Sequence, residues 1–355
     1  MAERIPFLDL RPDAALAREL EEAAARVIAS GRYVLGAEVE AFEHEIARFL
    51  GVAHAVGVSS GTDALIVSLM ALGIGAGDEV IVPAFGFVAT PEAVVRVGAT
   101  PVFVDIEPTS FHLDPARAAT AIGPRTRAIV AVHLFGRCVE LGPIEAMAAA
   151  RGVAIVEDAA QAIGARSGGR HAGGLGRIAA FSFFPTKTLG ALGDGGLVTT
   201  NDASLAARAR SLRVHGATSR DDFAEIGGNF RLDELQAALL RVKLRRLPAV
   251  LEARRAIARA YAEALAGAPL ELPRLSADDT YNPYVVRAAG DRDALRDRLA
   301  GAGVETAVYY ARSLTEQPAL AAWRAPMPEA DRAARSVVAL PVRAEAIEAV
   351  ARAMG

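Results

Sequence analysis

The segment FSFFPTKTLGALGDGG (181–196) sets a single lysine, Lys187, between a phenylalanine-rich run and a run of glycines. Of the 39 lysines plus arginines in the chain, only Lys187 and Lys243 are lysines. A lysine kept where arginine serves elsewhere points to chemistry that arginine lacks. An amine can lose its proton and attack a carbonyl carbon, whereas a guanidinium stays charged. Lys243 lies in RVKLRRL, among arginines on a helix face, and reads as a solvated surface charge.

Ser182 and three further stretches could serve such an amine. Ser182 precedes Lys187 by five residues, so its hydroxyl could hold a phosphate while the lysine reaches the attached ring. SSGTDAL (59–65) turns from a strand into a helix at Gly61 and Thr62, offering free N–H groups and a hydroxyl to an anion. The same turn also fits an ordinary helix cap. VEDAAQ (156–161) ends an apolar strand with Asp158. A carboxylate there needs a cation or hydrogen bonds, and a protonated pyridine nitrogen or a helix N-terminus would each serve. In PAFGFVAT (83–90), Phe85 or Phe87 could lie flat on a planar ring, or both could be core residues.

The surrounding pattern supplies a frame for these residues. AALARELEEAAARVIAS and EVEAFEHEIARFLG predict two amphipathic helices within the first 51 residues. Short apolar runs then alternate with helical segments: HAVGVSS (54–60), EVIVP (79–83), TPVFVDI (100–106), RAIVAVHLFG (127–136) and VAIVEDAA (153–160). IAAFSFF (178–184) and GLVTTN (196–201) add two more strands. This alternation predicts an α/β fold, a mostly parallel sheet with helices on both faces. In such sheets ligands bind beyond the carboxyl ends of the strands, where all four stretches fall. LDELQAALLRVKLRRL (232–247) predicts a helix, with Pro248 as a hinge. Residues 1–247 then form a large domain and 248–355 a smaller α+β domain.

Composition narrows the function. A net charge of −3 gives no overall basic field for nucleic acid. No run of about 18 apolar residues predicts a membrane span, and the N-terminal segment lacks the apolar core of a signal peptide. One cysteine, Cys138, excludes an internal disulfide and fits a reducing, cytoplasmic setting. The six histidines form no HExxH or Cys/His cluster, so no metal site is expected. GIGAGDE (73–79) precedes a strand instead of following one, which argues against a dinucleotide site, and no P-loop motif occurs.

SSGTDAL, VEDAAQ, FSFFPTKTLGALGDGG and GGNFRLDELQAALL together resemble the DegT/DnrJ/EryC1/StrS aminotransferases in order and spacing. The resemblance runs from IPFLDL (5–10) and GRYVLG (31–36) to LPV (340–342). It implies a fold type I enzyme, like aspartate aminotransferase, that uses pyridoxal 5'-phosphate (PLP). Lys187 would form an imine with the cofactor's aldehyde and then shuttle the proton. Asp158 would pair with the pyridinium nitrogen, Gln161 would sit near the phenolate oxygen, and Phe87 would stack on the ring in preference to Phe85. Gly61, Thr62 and Ser182 would hold the phosphate. Asn229 would reach it from the neighbouring subunit of a homodimer with shared sites. The implied reaction moves an amino group, with glutamate as donor, to a keto group of a nucleotide-linked sugar. Lysine at position 187, where the family's dehydratases have histidine, favours transamination, and TLGALGDGG resembles the members that aminate at C3.

Two stretches depart from the family pattern. A common His-Tyr-Pro segment is here AVYYARSLTEQP (307–318), with Tyr309 for the histidine and Ala311 for the proline. TYNPYVVR carries Asn282 where many members have histidine. Tyr309 and Asn282, with Tyr33 of GRYVLG, are the candidate substrate contacts. Other readings of the same residues are an acceptor that is a cyclitol or other ring ketone, and a PLP-binding regulator without turnover. A nicotinamide-dependent dehydrogenase would share the sheet but leaves Lys187 unexplained.

Overall fold

The structure, a computed structural model, describes residues 4–354. Two helices, α1 (Ala14–Ser30) and α2 (Ala37–Leu50), precede the sheet. There follow β1 (His54–Val58), α3 (Gly61–Ala71), β2 (Glu79–Pro83), α4 (Ala89–Arg96), β3 (Thr100–Val104), α5 (Pro115–Ala121) and β4 (Thr126–Val132). Next come α6 (Gly142–Ala149), β5 (Ala154–Asp158), a two-stranded ribbon β6 (Arg166–Ser167) and β7 (Arg170–His171), then β8 (Ile178–Ser182) and β9 (Gly196–Thr200). The seven-stranded sheet has the order β1-β9-β8-β5-β4-β2-β3. Only β9 runs against the rest, pairing antiparallel with β1 and β8. The other pairs are parallel. Interior strands such as β2 and β4 are buried nearly throughout because helices cover both faces, which is why they read as continuous apolar runs.

After α7 (Ala203–Leu212), α8 (Glu234–Ala264) spans 31 residues, about 46 Å at 1.5 Å per residue. The expected hinge at Pro248 is therefore corrected: the helix continues through it. Proline removes one backbone donor, but Pro248 is exposed while Leu244, Leu247 and Leu251 are buried on the opposite side. Burial of that face outweighs one missing hydrogen bond. The second half of α8 then enters another apolar cluster with β11 (Tyr284–Ala288), α9 (Arg292–Gly301), β12 (Val337–Leu340) and α11 (Ala346–Met354). β10 (Leu270–Glu271), β11 and β12 form a three-stranded antiparallel sheet, and α10 (Pro328–Ser336) leads into β12.

The start of α8 also builds the entrance of α2. Gly36 at the N-cap of α2 has no side chain to satisfy the first amides. Glu234, 3 % exposed, does so from α8, accepting from the N–H groups of Gly36 (2.6 Å), Glu38 (2.9 Å) and Val39 (3.0 Å). A carboxylate at a helix N-terminus is also favoured by the helix dipole. We predict that Glu234→Ala destabilises the fold by about 2–4 kcal/mol, since one buried and two partly buried donors lose their acceptor. Urea unfolding measures this, and an unchanged midpoint would contradict the assigned role.

Candidate active site

The shared direction of six strands brings their carboxyl ends to one edge of the sheet. Register aligns Val132 of β4 with Asp158 of β5, and Asp158 with Ala180 of β8. Beyond these ends lies a cavity of about 540 Å³. Gly61, Thr62, Phe87, Asp158, Gln161, Ser182 and Lys187 all line it, as do Asn282 and Tyr309 from the C-terminal part of the chain. Tyr33 and Asn229 do not; both are exposed on the surface.

The floor is the start of α3. Ser60 caps this helix by accepting from the Asp63 N–H at 3.0 Å, and Asp63 in turn accepts from the hydroxyls of Ser59 and Ser60. The N–H groups of Gly61 and Thr62 have no hydrogen-bond partner among the described residues. Gly61 is required by contact: a Cβ there would stand 2.6 Å from the Ser182 Cβ. The helix N-terminus and the end of β8 thus meet as closely as backbone allows, with the Ser182 hydroxyl beside the free amides.

Asp158 is 6 % exposed. Its Oδ2 accepts from the Thr90 hydroxyl at 2.7 Å and its Oδ1 from the Ala160 N–H at 3.2 Å. No arginine or lysine pairs with it within 4 Å among the described residues. Its neighbour Glu157 points to the other face of the strand, as alternation requires. There Glu157 accepts from His133 Nε2 (2.8 Å) and the N–H groups of Gly173 (2.7 Å), Leu175 (2.8 Å) and Gly176 (2.6 Å). His133 Nδ1 accepts from the Val139 N–H, so the ring proton sits on Nε2 and is donated to Glu157. Burial pushes the Glu157 carboxyl up, but these hydrogen bonds prevail and hold it below the usual range. The network anchors β5 where Asp158 enters the cavity.

The Lys187 amine makes no hydrogen bond or ion pair among the described residues. Burial pushes its pKa down, opposed by the nearby Asp158 carboxylate, and the net direction is down. The loop that carries it is tight: a Cβ at Gly190 would stand 2.4 Å from the Pro185 carbonyl oxygen. Lys243 corrects the expectation of a solvated charge. It is partly buried and donates to the Gly190 carbonyl, so it ties α8 to the Lys187 loop. Its acceptor lies 53 residues away, outside any local pattern.

The two candidate phenylalanines separate cleanly. Phe85 is fully buried, whereas Phe87 is 56 % exposed and faces the cavity. Sequence reasoning missed Tyr310, which packs on Phe87 with ring centroids 6.1 Å apart and accepts from Gln161 Nε2 at 3.1 Å. It also missed Thr90 and Arg254, whose partners are remote in sequence.

The sequence profile of the DegT/DnrJ/EryC1/StrS aminotransferase family matches residues 15–354. The chain belongs to that family. It is thus an aminotransferase of a family whose enzymes use PLP. It is 46% identical over 345 residues to the "Erythromycin biosynthesis sensory transduction protein EryC1" of Saccharopolyspora erythraea, covering 95% of this chain and 94% of the relative. It is 44% identical to the dTDP-3-amino-3,4,6-trideoxy-alpha-D-glucose transaminase of Streptomyces venezuelae, over 96% of this chain and 91% of the relative. The crystal structure of S. venezuelae DesV in complex with a ketimine intermediate superimposes with a TM-score of 0.95 at 43% identity, covering 99% of this chain and 97% of that one. The expected fold, α/β of the PLP aminotransferase type, is the one observed.

A buried amine whose pKa is depressed in the fold costs stability while it is charged. That cost is full at pH values below the folded pKa. It fades as pH rises through the folded pKa toward the unfolded value of 10.5. In the cofactor-free protein, Lys187→Met should therefore raise the unfolding midpoint at pH 7, by a margin that narrows toward pH 10. Equal midpoints at pH 7 would contradict the assigned environment.

Proposed function

We propose that the chain moves an amino group from an amino acid, glutamate in this reading, to the keto group of a nucleotide-linked sugar, at C3, in amino-sugar biosynthesis. The observation that carries it is a half-buried lysine amine sharing a cavity with a buried carboxylate, neither of them in an ion pair within 4 Å among the described residues. The relatives and the S. venezuelae structure support the substrate class.

The residues present fit PLP. Two free amides, the Thr62 hydroxyl and Ser182 form a cradle for a phosphate, and the contact of Gly61 with Ser182 leaves that corner to backbone donors. Asp158 would hold the pyridine nitrogen protonated, Phe87 would cover one ring face, and Gln161 would reach the phenolate side. When bound, the cofactor supplies an aldehyde to carry the amino group and an electron-poor ring to accept the electrons of a deprotonated carbon. Lys187 Nζ would hold the cofactor covalently. With its Nζ free, Lys187 would be placed to take the proton from the donor's α-carbon and to return one to the carbon that bears the amino group on the cofactor side, and burial, by lowering its pKa, eases loss of the amine's proton. Tyr310 and the apolar walls limit water around that proton.

Asn229 is exposed, its side chain makes no hydrogen bond among the described residues, and it lies outside the cavity of its own chain. In our reading it enters the cavity of a second copy, which makes the enzyme a homodimer with shared sites. Tyr33, also exposed, would face the same junction. Exposed Phe184 and Leu192 beside the Lys187 loop, and Phe223 and Ile226 before Asn229, are apolar surface that a partner would cover. We place the enzyme in the cytoplasm. Among the described residues no helix is long and apolar enough to cross a membrane. A regulatory role finds support in the name of the S. erythraea relative, a sensory transduction protein, but a site with Lys187, Asp158 and Gln161 all in place favours turnover.

The direct test supplies L-glutamate and then dTDP- or UDP-linked 3-keto sugars, with products read by mass spectrometry. Aminated sugar is expected; amination of a cyclitol ketone alone would overturn the sugar assignment. Asp158→Asn should cut turnover at least about 100-fold with the fold intact, and unchanged rates would make Asp158 merely structural. Coexpressed Lys187→Ala and Asn229→Asp chains, each inactive alone, should regain roughly a quarter of wild-type activity, because mixed dimers hold one intact site. No recovery would contradict the shared site.

A further inference from the structure

Among the cationic side chains that line the cavity, one has neither a carboxylate partner nor a role so far. Arg254 projects from α8, in the half that follows Pro248. Arg343, also lining the cavity, is held by Glu345, with Nε donating to Oε1 at 2.7 Å. Lys187 shares its surroundings with Asp158. Arg254 has no acidic group within 4 Å among the described residues. Its Nε donates to the Thr280 carbonyl at 3.1 Å, and its Nη2 to the Tyr281 carbonyl at 2.6 Å and Asn282 Oδ1 at 3.4 Å. Nη1 makes no hydrogen bond among the described residues. Carbonyls orient a guanidinium without neutralising it, and a desolvated cation without a counter-charge is costly. Burial pushes its pKa down to about 10, so it stays charged at neutral pH.

The position of this cation is fixed relative to the reacting region. Gln161 Oε1 accepts from the Phe135 N–H at 2.7 Å, and the Phe135 carbonyl accepts from the Asn282 N–H at 2.9 Å. Asn282 Oδ1 then meets Arg254. A parallel link runs from the Thr280 N–H to the Gly136 carbonyl at 2.8 Å. Gly136 has a φ of +85°, and a Cβ there would lie 2.4 Å from Thr280 Oγ1, so the two segments are pressed together. Arg254 is thereby coupled to the Gln161 side of the cavity, away from the phosphate cradle at Gly61 and Ser182.

We propose that Arg254 is the receptor for the α-carboxylate of the amino donor, holding it through the Nη1 edge while Lys187 acts on the adjacent carbon. This rests on the aminotransferase reading above. The α-carboxylate is one bond from the carbon that loses its proton, so its receptor must stand beside the reacting centre. The diphosphate of a nucleotide sugar is held off by the whole sugar ring. A planar guanidinium with a free edge matches a carboxylate in shape as well as charge. Asn282, one of the departures from the family pattern, then serves by steadying Arg254.

The test compares L-glutamate with 4-aminobutyrate, the same chain without its α-carboxylate, in the first half-reaction of the PLP-loaded enzyme followed by absorbance. Calorimetry with glutarate and with UDP reads binding separately. Arg254→Gln should weaken apparent glutamate binding roughly 10- to 100-fold, weaken glutarate comparably, and leave UDP and 4-aminobutyrate within about threefold. Arg254→Lys should fall between the variant and wild type. Equal slowing of both amines would make Arg254 a strut for residues 280–282 and overturn the proposal. Loss of UDP binding with glutarate retained would assign it to the diphosphate and overturn it equally. A wild-type enzyme that binds glutarate through Arg254 but gives no spectral change with glutamate would refute the aminotransferase reading while leaving the carboxylate receptor standing. One that binds no glutarate would overturn the receptor itself.

Discussion

The site depends on one constraint, the common direction and register of β4, β5 and β8. Because Val132 and Asp158 end their strands side by side and Asp158 pairs with Ala180, two residues before β8 ends at Ser182, everything that follows those strands is delivered to one edge. β1 contributes the start of α3, β2 leads to Phe87, β5 ends in Asp158, and β8 ends in Ser182. A one-residue slip of β5 would exchange Asp158 for Glu157 at the cavity. The hydrogen bonds from His133 and three backbone amides to Glu157 resist that slip, since they can be made only in the observed register.

The cavity is expensive in electrostatic terms before any ligand enters. It holds an aspartate with no ion pair within 4 Å among the described residues, a lysine whose charge burial disfavours, and an arginine bonded only to carbonyl oxygens. The helix N-terminus adds unpaired amides. Each is a cost to the empty fold that a matching ligand would remove, which is how a protein keeps binding energy in reserve. The rest of the chain offsets these costs through the apolar clusters on both faces of the sheet and through α8, which joins the two sheets' cores.

The order of strands and the residues at their ends were legible because both are local. An apolar run followed by Asp158, or a Ser-Gly-Thr turn before a helix, carries its meaning within a few residues. The separation of Phe87 from Phe85 followed from the family resemblance, and the structure agrees by leaving only Phe87 open to the cavity. What sequence left hidden depends on distant partners. Glu234 caps a helix 198 residues away from its own position, and Lys243 bonds to Gly190 across 53. In the sequence Arg254 is one more arginine among alanines; only the folded chain shows that it lines the cavity without an acidic group within 4 Å among the described residues. Pro248 reads as a hinge in the sequence because local rules cannot weigh one lost hydrogen bond against a buried leucine face.

The central claim is that Lys187 is lysine because an imine must form on it. The most direct measurement is mass spectrometry of the peptide containing residue 187 after the protein is incubated with PLP and reduced with sodium borohydride. The account predicts that the cofactor's mass is fixed on Lys187 and that the visible absorbance of the complex disappears on reduction. Cofactor fixed on Lys243, or on neither lysine, would contradict it.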